Sequence, residues 1–321
     1  MSDALPLVTI IVPTKPGQED IPAVTAARQL DYPKDRLEIL VPRGKQPSVQ
    51  RNTALRAARG ELIYFLDDDS VAQPGNLRRA LTHFADPQVK MLGGPSLCPA
   101  DAPLIEQVFA VVLASWLAFG PSRARYDTVG EVRATGEKEL ILCNLLARRD
   151  AVLELGGFDE ALYPNEENAL MDGLQQRGAK LFYDPQFIAH RRPRRTLKAF
   201  CKMLFAYGRG RAEQFRLHPT PGSALNFVPP LFCGYMVLAP GLAVAIGPIT
   251  FAPLGAYFLV VLLQTIASMA ARGVLRSALA MPLLAASHIF YGLGFWRGLT
   301  TKLKAVGAGP PTEVKLDSMT V

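Results

Sequence analysis

"ELIYFLDDDSVAQPG", residues 61–75, leads from a mostly apolar run directly into three consecutive aspartates. The apolar run predicts a buried strand that ends at the aspartates. Three adjacent carboxylates repel one another, so the segment requires a positive charge nearby. A single aspartate at this place commonly caps a helix or forms a turn. Asp67 and Asp69, however, are separated by one residue and can both bind the same hard cation. The segment therefore predicts a divalent metal and nucleotide site at the end of a strand.

Predicted strands and helices alternate around this segment. The predicted strands are at residues 7–12, 37–42, 61–66, 89–95 and 180–185. The predicted helices are at residues 18–30 and 47–59 and from Pro74 onward. This alternation is typical of an open, doubly wound α/β domain, in which ligands bind at the carboxyl ends of the strands. The aspartates lie at one of those ends.

After about residue 225 the composition changes to that of a membrane protein. Between residues 225 and 295 only Arg272 and Arg276 carry a formal charge, and apolar residues dominate. The apolar stretches are residues 225–251, 254–271 and 278–295. Three full crossings would place the basic residues of the second loop and of the tail on opposite sides, so we expect that one stretch does not cross cleanly. The first, rich in proline, is expected to be broken or re-entrant.

A shorter apolar run, residues 104–119, predicts a buried or interfacial helix because it is too short for a span. The amino-terminal residues lack the basic region of a signal peptide, so the first domain is expected in the cytoplasm. The four cysteines are scattered without the spacing of a zinc site. These features predict a cytoplasmic domain followed by a membrane region.

The net charge of +7 is concentrated in one segment. Residues 190–216 alternate bulky apolar and basic residues, which predicts a basic amphipathic helix on a membrane surface. Such a cluster can bind nucleic acid, but the apolar sequence that follows favours anionic lipid or a phosphorylated ligand, and we expect no nucleic-acid partner. The side chains expected to contact lipid or phosphate are Arg191, Arg192, Arg194, Arg195, Arg209 and Arg211.

A second acidic pair occurs in "YPNEENALMDGLQQRG", residues 163–178. Asn165 can cap a helix, which would place Glu166 and Glu167 in its first turn, where the helix dipole favours anions. The functional alternative is that one of the two glutamates is a general base. His190 follows a short strand and is a candidate third ligand for the predicted metal, although a lone histidine more often has a structural role.

The order and spacing of five motifs closely resemble family 2 glycosyltransferases with the GT-A fold. The motifs are "VTIIVPT", "PSVQRNTALRAARGELIYFLDDD", "ARRDAVLELGGFDEAL", "NEEN" and "AHRRP". The segment "FAYGRGRAEQ" and the apolar stretches after it resemble the bacterial branch of succinoglycan-type and other exopolysaccharide transferases. The resemblance implies a GT-A domain with a Rossmann-like, mostly parallel sheet over residues 1–215, membrane helices over 225–296, and a basic, then flexible tail over 297–321.

The resemblance also implies roles for the residues that match its motifs. The implied nucleotide-sugar-binding residues are Pro13, Thr14, Arg51, Asn52, Asp67 and Asp68. The implied ligands of Mn2+ or Mg2+ are Asp69, Asp67 and His190, with Asp69 the most direct. The implied acceptor-side turn contains Gly156, Gly157, Phe158 and Asp159. The implied catalytic base is Glu167, with Glu166 as the alternative.

The chain departs from the family pattern in two places. Many relatives have an Asp-Asp pair that recognises uracil where this chain has "VPRGK", residues 41–45, a basic loop that could bind the diphosphate, so the nucleotide base stays open. The Q-x-x-R-W signature of processive synthases does not occur. Transfer of a single sugar is therefore favoured over polymerisation.

The resemblance implies inverting, metal-dependent transfer of one sugar from a nucleotide-sugar donor to a hydroxyl of a lipid-linked saccharide, in cell-surface polysaccharide or glycoconjugate synthesis. Membrane lipids are expected partners, and the expected location is the inner, cytoplasmic membrane with the catalytic domain facing the cytoplasm. One alternative is a polyprenyl-phosphate glycosyltransferase, whose acceptor is already ionised and needs no base. Another is a non-catalytic membrane assembly subunit.

Overall fold

The chain forms two compact units. The computed structural model describes residues 5–162, 165–217, 219, 221–303 and 313–320. The sheet unit is drawn from Met1–Pro99, Pro121–Arg192 and Lys304–Val321, and the helical unit from Ala100–Gly120 and Pro193–Leu303. The chain therefore passes between the units after Pro99, Gly120, Arg192 and Leu303, whereas the first domain was predicted to extend without interruption to residue 215.

Strands β1 to β11 all belong to the sheet unit. In chain order the described strands are β1 (Val8–Ile11), β2 (Leu37–Arg43), β3 (Leu62–Leu66), β4 (Val71–Ala72), β5 (Val89–Gly93), β6 (Ser96–Leu97), β7 (Arg133–Thr135), β8 (Asn144–Arg148), β9 (Lys180–Tyr183), β10 (Ala189–His190) and β11 (Lys315–Met319). Eight of them form one sheet in the order β11-β2-β1-β3-β8-β5-β9-β7. The short strands β4, β10 and β6 form a separate three-stranded sheet.

The larger sheet is mixed. Strand β1 pairs in parallel with β2 and β3, and β5 pairs in parallel with β9. Strand β8 runs antiparallel between β3 and β5, and β7 and β11 are also antiparallel to their neighbours. The predicted α/β class is confirmed, with more antiparallel pairing than expected because β7, β8 and β11 were not identified from the sequence.

Helices occur in both units. In chain order they are α1 (Pro22–Arg28), α2 (Pro47–Ala57), α3 (Asn76–His83), α4 (Leu104–Leu113), α5 (Trp116–Phe119), α6 (Arg149–Glu154), α7 (Glu166–Gln176), α8 (Leu197–Leu217), α9 (Val228–Ile246), α10 (Ala252–Arg272) and α11 (Val274–Thr300). The sheet unit contains α1, α2, α3, α6 and α7, and the other six belong to the helical unit.

The side chains of strand β3 are buried on both faces of the sheet. Its side chains point alternately to opposite sides, as in any strand. Leu62, Tyr64 and Leu66 enter one apolar core, whereas Ile63 and Phe65 enter the other. A continuous apolar run is therefore required here, because neither face is left to solvent. The strand ends at Leu66, and Asp67 follows it directly.

The helical unit is organised by close packing of α8 on α11. Buried residues of α8 recur every fourth position, at Phe200, Leu204, Gly208 and Ala212, and so form one face. A Cβ at Gly208 would overlap the carbonyl oxygen of Tyr291 in α11, so the two backbones touch there. The predicted amphipathic helix is thus present, and its apolar face is covered by another helix of the protein.

Three described helical segments are long and apolar enough to cross a membrane: Ser223–Ile246, Pro248–Arg272 and Val274–Thr300. A fourth candidate exists if Leu104–Leu113 and Trp116–Arg125, bent by 59°, are counted as one broken span. The first apolar stretch, residues 225–251, was expected to be broken or re-entrant. Helix α9 continues through Pro240 but ends at Ile246, and a separate short helix begins at Pro248. The chain turns between them at Gly247, whose φ of 89° favours glycine.

Part of the predicted flexible tail is a strand. Residues 304–312 of that tail lie outside the described residues, but β11 pairs antiparallel with β2 over its whole length. Leu316 packs against one apolar core and Met319 against the other. The predicted flexibility was wrong for residues 315–319. The strand was missed because it has only two apolar side chains, and hydrogen bonding to the open edge of β2 provides the rest of its stabilisation.

Candidate active site

The carboxyl ends of β1 and β2 are tied together at one edge of the larger sheet. The backbone N–H of Thr14 donates to the Pro42 carbonyl at 3.1 Å, and the N–H of Gly44 donates to the Thr14 carbonyl at 3.0 Å. Gln50 Nε2 donates to the Thr14 carbonyl oxygen at 2.8 Å and to the Pro42 carbonyl oxygen at 2.7 Å. Pro13 and Thr14, predicted to border the nucleotide, therefore lie at the edge where α/β sheets bind ligands.

Arg51 joins the two acidic clusters that the sequence analysis singled out. Its Nη2 donates to Asp67 Oδ1 at 2.9 Å, and its Nη1 donates to Glu166 Oε1 at 3.0 Å. The guanidinium also lies 5.9 Å from the centre of the Phe158 ring. The Arg51 side chain is only 6 % exposed and that of Glu166 only 4 %. One buried cation therefore pairs with the buried Glu166 and with Asp67, whose side chain is 22 % exposed.

Arg191 bridges the carboxylates of Asp67 and Asp69. Its Nη1 lies 3.0 Å from Asp67 Oδ2, and its Nε lies 2.6 Å from Asp69 Oδ1. Arg191 was predicted to contact lipid or phosphate, whereas in the structure it pairs with the two aspartates. The motif "AHRRP" marks the residue, but nothing in the sequence indicates that a residue 122 positions away reaches Asp69.

The predicted metal ligands Asp67, Asp69 and His190 do not come together as a three-ligand centre. His190 lies in β10 of the smaller sheet. Among the described residues, no group of three or more His, Cys, Asp or Glu side chains could hold a metal ion. The two aspartates provide the hard oxygen atoms that Mn2+ and Mg2+ prefer, but Arg191 binds both of them. A three-ligand metal centre therefore does not fit this arrangement.

Glu166 and Glu167 begin α7 but differ in their surroundings. Burial, followed by the negative charge of Glu167, raises the pKa of Glu166 to about 7, while Arg51 acts in the opposite direction. Glu166 Oε2 has no hydrogen-bond partner among the described residues. Glu167 is half-buried. The pair thus combines a buried carboxyl that can be protonated near neutral pH with a more accessible carboxylate.

Asn52 fixes the predicted acceptor-side turn. Its Nδ2 donates to the Phe158 carbonyl at 2.8 Å, and its Oδ1 accepts from the Phe158 N–H at 2.8 Å. Gly156 and Gly157 have φ values of 85° and 87°, and a Cβ at Gly157 would overlap Asn52 Oδ1. Asp159 Oδ1 accepts a backbone hydrogen bond two residues further on. Neighbouring residues of α2, Arg51 and Asn52, therefore hold the acidic site and this turn respectively.

A chain of contacts crosses the ends of the first three strands and reaches β11. Asp68 Oδ2 accepts from Gln18 Nε2 at 2.7 Å, and the Gln18 carbonyl accepts from Arg43 Nη1 at 2.6 Å. Arg43 Nε donates to Asp317 Oδ2 at 2.5 Å. Asp68 was predicted to bind the nucleotide sugar and Arg43 to belong to a diphosphate-binding loop. In the structure both side chains brace the loops that surround the strand ends.

The other basic residues expected to contact lipid or phosphate are exposed or lie on α8. They are Arg192, Arg194, Arg195, Arg209 and Arg211. Contacts with lipid by these residues remain a prediction.

Residues 2–210 match the family described as "Glycosyltransferase like family 2". Two curated relatives, from two strains of Mycobacterium tuberculosis, are both named "Pre-mycofactocin glycosyltransferase" and are 30 % identical to this chain over 185 residues. That alignment covers 56 % of this chain and 37 % of each relative. The chain therefore matches little more than a third of the length of these relatives.

One solved structure with a similar fold is the mannosyltransferase PcManGT from Pyrobaculum calidifontis, in complex with GDP-Man and Mn2+. It superposes with a TM-score of 0.55 at 20 % sequence identity, covering 89 % of this chain and 87 % of that one. The likeness is one of fold, and it confirms the predicted GT-A-like class.

Replacing Arg51 by Gln should destabilise the sheet unit strongly. The change leaves Asp67 and Glu166 without their shared cation, and removal of one partner from a buried ion pair costs about 3–5 kcal/mol. The free energy of unfolding can be measured by denaturant titration of the full chain in detergent. The matched control is Arg78→Gln, because Arg78 pairs with Asp31 and the two side chains are 53 % and 60 % exposed, so its loss should cost less than about 1 kcal/mol. Equal losses in the two variants would contradict the central role of Arg51.

Replacing Asp317 by Asn should loosen the strand-end loops by releasing Arg43. We expect faster hydrogen exchange in the loops after β1 and β2, and binding of UDP or GDP weakened roughly three- to tenfold, about 0.7–1.4 kcal/mol. Exchange is followed by mass spectrometry and binding by calorimetry. Ser318→Ala, an exposed position in the same strand, should change neither quantity. An Asp317→Asn variant with unaltered exchange would show that the contact does not organise these loops.

Proposed function

The chain belongs to the glycosyltransferase-like family 2, and we propose that it transfers a single sugar, with inversion, from a nucleotide-sugar donor to a hydroxyl of a lipid-linked acceptor. The observation that carries the proposal is the buried link from Asp67 through Arg51 to Glu166. It brings a carboxylate at a strand end, where a nucleotide would bind, into the same network as the glutamate pair of α7. In this proposal, one connected site binds the nucleotide-sugar donor and takes the proton of the acceptor hydroxyl.

A nucleotide-sugar donor is supported by the comparisons and by the site itself. The curated relatives are named as glycosyltransferases, and the solved mannosyltransferase contains GDP-Man. In this chain, several buried polar atoms lack hydrogen-bond partners among the described residues, which favours a polar ligand. They are Thr14 Oγ1, Ser70 Oγ, Asn165 Nδ2 and Glu166 Oε2.

We assign the general base to Glu167 and a positioning role to Glu166. Glu166 is buried and bound to Arg51, and its pKa is raised to about 7 chiefly by burial and then by the charge of Glu167. Glu167 carries that charge and is the more accessible of the two. It takes the proton of the acceptor hydroxyl as the oxygen attacks the anomeric carbon, and the bond to the nucleoside diphosphate breaks in line. Glu166 meanwhile fixes Arg51 beside Asp67.

Dependence on Mn2+ or Mg2+ remains part of the proposal. The solved mannosyltransferase contains Mn2+, whereas the described residues here gather no three-ligand group. A bound divalent cation would neutralise charge on a diphosphate. Of the chain's own residues, Arg191 supplies positive charge beside Asp67 and Asp69, and its side chain is 26 % exposed. We propose that it also binds a donor diphosphate at this edge.

The proposed location is the inner membrane, with the sheet unit facing the cytoplasm. Candidate spans in the helical unit support membrane association, and a lipid-linked acceptor would then be within reach of a membrane-bound enzyme. The exposed arginines at residues 192–195 and those on α8 are proposed to contact lipid head groups or the acceptor's phosphate. Acceptor identity and pathway, including exopolysaccharide synthesis, follow from the family resemblance alone.

Two observations oppose the alternative functions. A polyprenyl-phosphate acceptor needs no general base, so it gives no reason for the glutamate pair beside Asp67. A non-catalytic assembly subunit gives no reason for burying Glu166 and Arg51 together, since an apolar core of the same volume is usually at least as stable.

The Glu167→Gln variant should lose sugar transfer and keep donor binding. Loss of a general base typically lowers the rate about 10²- to 10⁴-fold, while the donor site at the strand ends stays intact. Purified full-length protein in detergent is assayed for nucleoside diphosphate release against a panel of nucleotide sugars, including GDP-mannose, with lipid extract as the acceptor source. Donor affinity is measured separately by calorimetry.

Two further variants test the assignment. Glu154→Gln, at an exposed glutamate of α6, should behave as wild type. If Glu166→Gln abolishes transfer while Glu167→Gln stays active, the assignment of the two roles is reversed. If the wild type releases no nucleoside diphosphate from any donor, the assembly-subunit alternative is favoured.

Replacing Arg191 by Gln should strengthen binding of Mn2+, because the positive side chain that pairs with Asp67 and Asp69 is removed. We expect the dissociation constant for Mn2+ to fall roughly tenfold, about 1.4 kcal/mol, measured by calorimetry on the full chain without donor. Arg192→Gln, next in sequence, is the control. If neither the wild type nor Arg191→Gln binds Mn2+ or Mg2+, metal dependence at this site is contradicted.

A further inference from the structure

A short segment of the sheet unit carries Arg191 to the aspartates of the acidic site. This segment, residues 184–191, is named the arginine arm, and it contains β10. The smaller sheet fixes its end, because the Arg191 N–H donates to the Leu97 carbonyl at 2.9 Å. The Ala189 N–H donates in the same way to the Pro95 carbonyl at 3.1 Å. The backbone of the arm is therefore held in place directly before the arginine side chain.

Three buried polar side chains form a cluster against the arginine arm. Tyr64 of β3 and Asn144 of β8 lie on the same face of the larger sheet, since Asn144 is two residues from Leu146, the residue opposite Tyr64. Asn76 begins α3. All three are at most 2 % exposed. These residues, Tyr64, Asn76 and Asn144, are named the Asn144 cluster. Polar groups buried to this degree are costly unless their donors and acceptors are paired.

The hydrogen bonds of the Asn144 cluster follow one direction. Asn76 Nδ2 donates to Tyr64 Oη at 3.0 Å, and the Tyr64 hydroxyl donates to Asn144 Oδ1 at 2.7 Å. Because the Asn144 oxygen is bound to the tyrosine, its amide nitrogen points the other way. That nitrogen donates to the Pro95 carbonyl at 3.2 Å and to the Phe187 carbonyl at 2.6 Å. The tyrosine hydroxyl thus sets the orientation of the Asn144 amide.

The Asn144 cluster binds the arginine arm at two consecutive carbonyl groups. Asn144 Nδ2 binds that of Phe187, and Asn76 Nδ2 donates to that of Ile188 at 2.9 Å. A Cβ at Gly94 would overlap the Phe187 carbonyl oxygen, so the arm is also in close contact with the backbone that leads to β6. The arm ends at its arginine three residues after Ile188. Fixing these carbonyl groups therefore limits where the arginine side chain can reach.

The residue before Asn144 lies close to Arg191 itself. Burial raises the pKa of the Cys143 thiol, whereas the positive charge of Arg191 and hydrogen bonds with Ser96 and Arg191 lower it. Cys143 is itself buried. The start of β8 therefore approaches both the backbone of the arginine arm and its arginine side chain.

We propose that Asn144 is a positioning residue for Arg191. Its amide holds the Phe187 carbonyl, while Tyr64 and Asn76 keep that amide in one orientation. The arginine arm then places the guanidinium where it pairs with the aspartates and binds the donor diphosphate. The proposal rests on the diphosphate binding proposed above for Arg191.

Two variants loosen the Asn144 cluster without changing Arg191. Tyr64→Phe removes only a hydroxyl group and keeps the buried ring, whereas Asn144→Ala removes the amide. The matched control is Tyr32→Phe, because Tyr32 is 4 % exposed and its hydroxyl donates to the Pro6 carbonyl at 2.6 Å, which is not part of the arginine arm. Each variant is made in the full chain and purified in detergent, and its free energy of unfolding is measured by denaturant titration.

Modification by phenylglyoxal, followed by mass spectrometry, reports directly on the Arg191 guanidinium. That side chain is 26 % exposed, so its release from the aspartates should raise its rate of modification roughly two- to fourfold. We expect this rise in Tyr64→Phe and in Asn144→Ala but not in Tyr32→Phe. Arg36, whose side chain is 43 % exposed, is the internal reference and should react equally in all variants.

A double-mutant cycle with Arg191→Gln separates positioning from general loosening. In the otherwise wild-type chain, Tyr64→Phe should weaken binding of GDP roughly three- to tenfold, measured by calorimetry. In the Arg191→Gln chain the same change should have no further effect, because the side chain that it positions is gone. UDP is tested in parallel.

Unchanged modification of Arg191 in both cluster variants would overturn the proposal. An equal loss of GDP binding with and without Arg191 would also overturn it, because that result shows a general loosening of the sheet unit. The same changes in Tyr32→Phe would have this meaning too. If Asn144→Ala does not fold, Tyr64→Phe provides the test. If neither folds while Tyr32→Phe does, the Asn144 cluster has only a structural role and the proposal is overturned.

Failure of the proposed function gives a different pattern. If the wild type binds neither GDP nor UDP, the diphosphate binding proposed for Arg191 is contradicted. A raised modification rate of Arg191 in the cluster variants would still support its positioning by Asn144. The two failures are therefore distinguishable.

Discussion

The site depends on one buried guanidinium, that of Arg51. Asp67 follows a strand that is buried on both faces, and Glu166 begins a helix in a different part of the chain. Glu166 is buried and Asp67 is partly exposed, and the two carboxylates would repel each other without a cation between them. An arginine suits the position better than a lysine, because its planar group donates in two directions at once. The next residue, Asn52, fixes the Phe158 backbone, so a single turn of α2 sets both the acidic site and the glycine turn.

The need for positive charge at the three aspartates could be predicted from sequence, whereas its source could not. Electrostatic repulsion within "DDD" is a local property, so it is visible in the printed chain. The cations that meet it in this structure are Arg51 and Arg191, which come from a helix before the strand and from a segment far after it. The local sequence does not show whether a metal ion or a distant guanidinium provides the positive charge, because either can bind the same carboxylates.

Strands with strong local signals were predicted well, and strands that depend on their neighbours were missed. β3 is a continuous apolar run and β1 is apolar except for Thr9, since both faces of each strand are buried. β11 contains only Leu316 and Met319 as core residues and exists because the edge of β2 is available. The same distinction applies to the site: Asp67 and the glutamate pair were found, but Gln18 and Asp317 act through contacts that only the folded chain creates.

Strand β11 also determines the order in which the protein can be completed during synthesis. Its partner β2 leaves the ribosome early, whereas residues 315–319 follow every helix of the helical unit. Throughout that interval the outer edge of β2 presents unpaired backbone groups, which is the condition under which strands pair with other chains. Synthesis of the candidate membrane-spanning helices thus precedes closure of the sheet. A nascent chain that stalls before residue 315 would keep this edge open to aggregation.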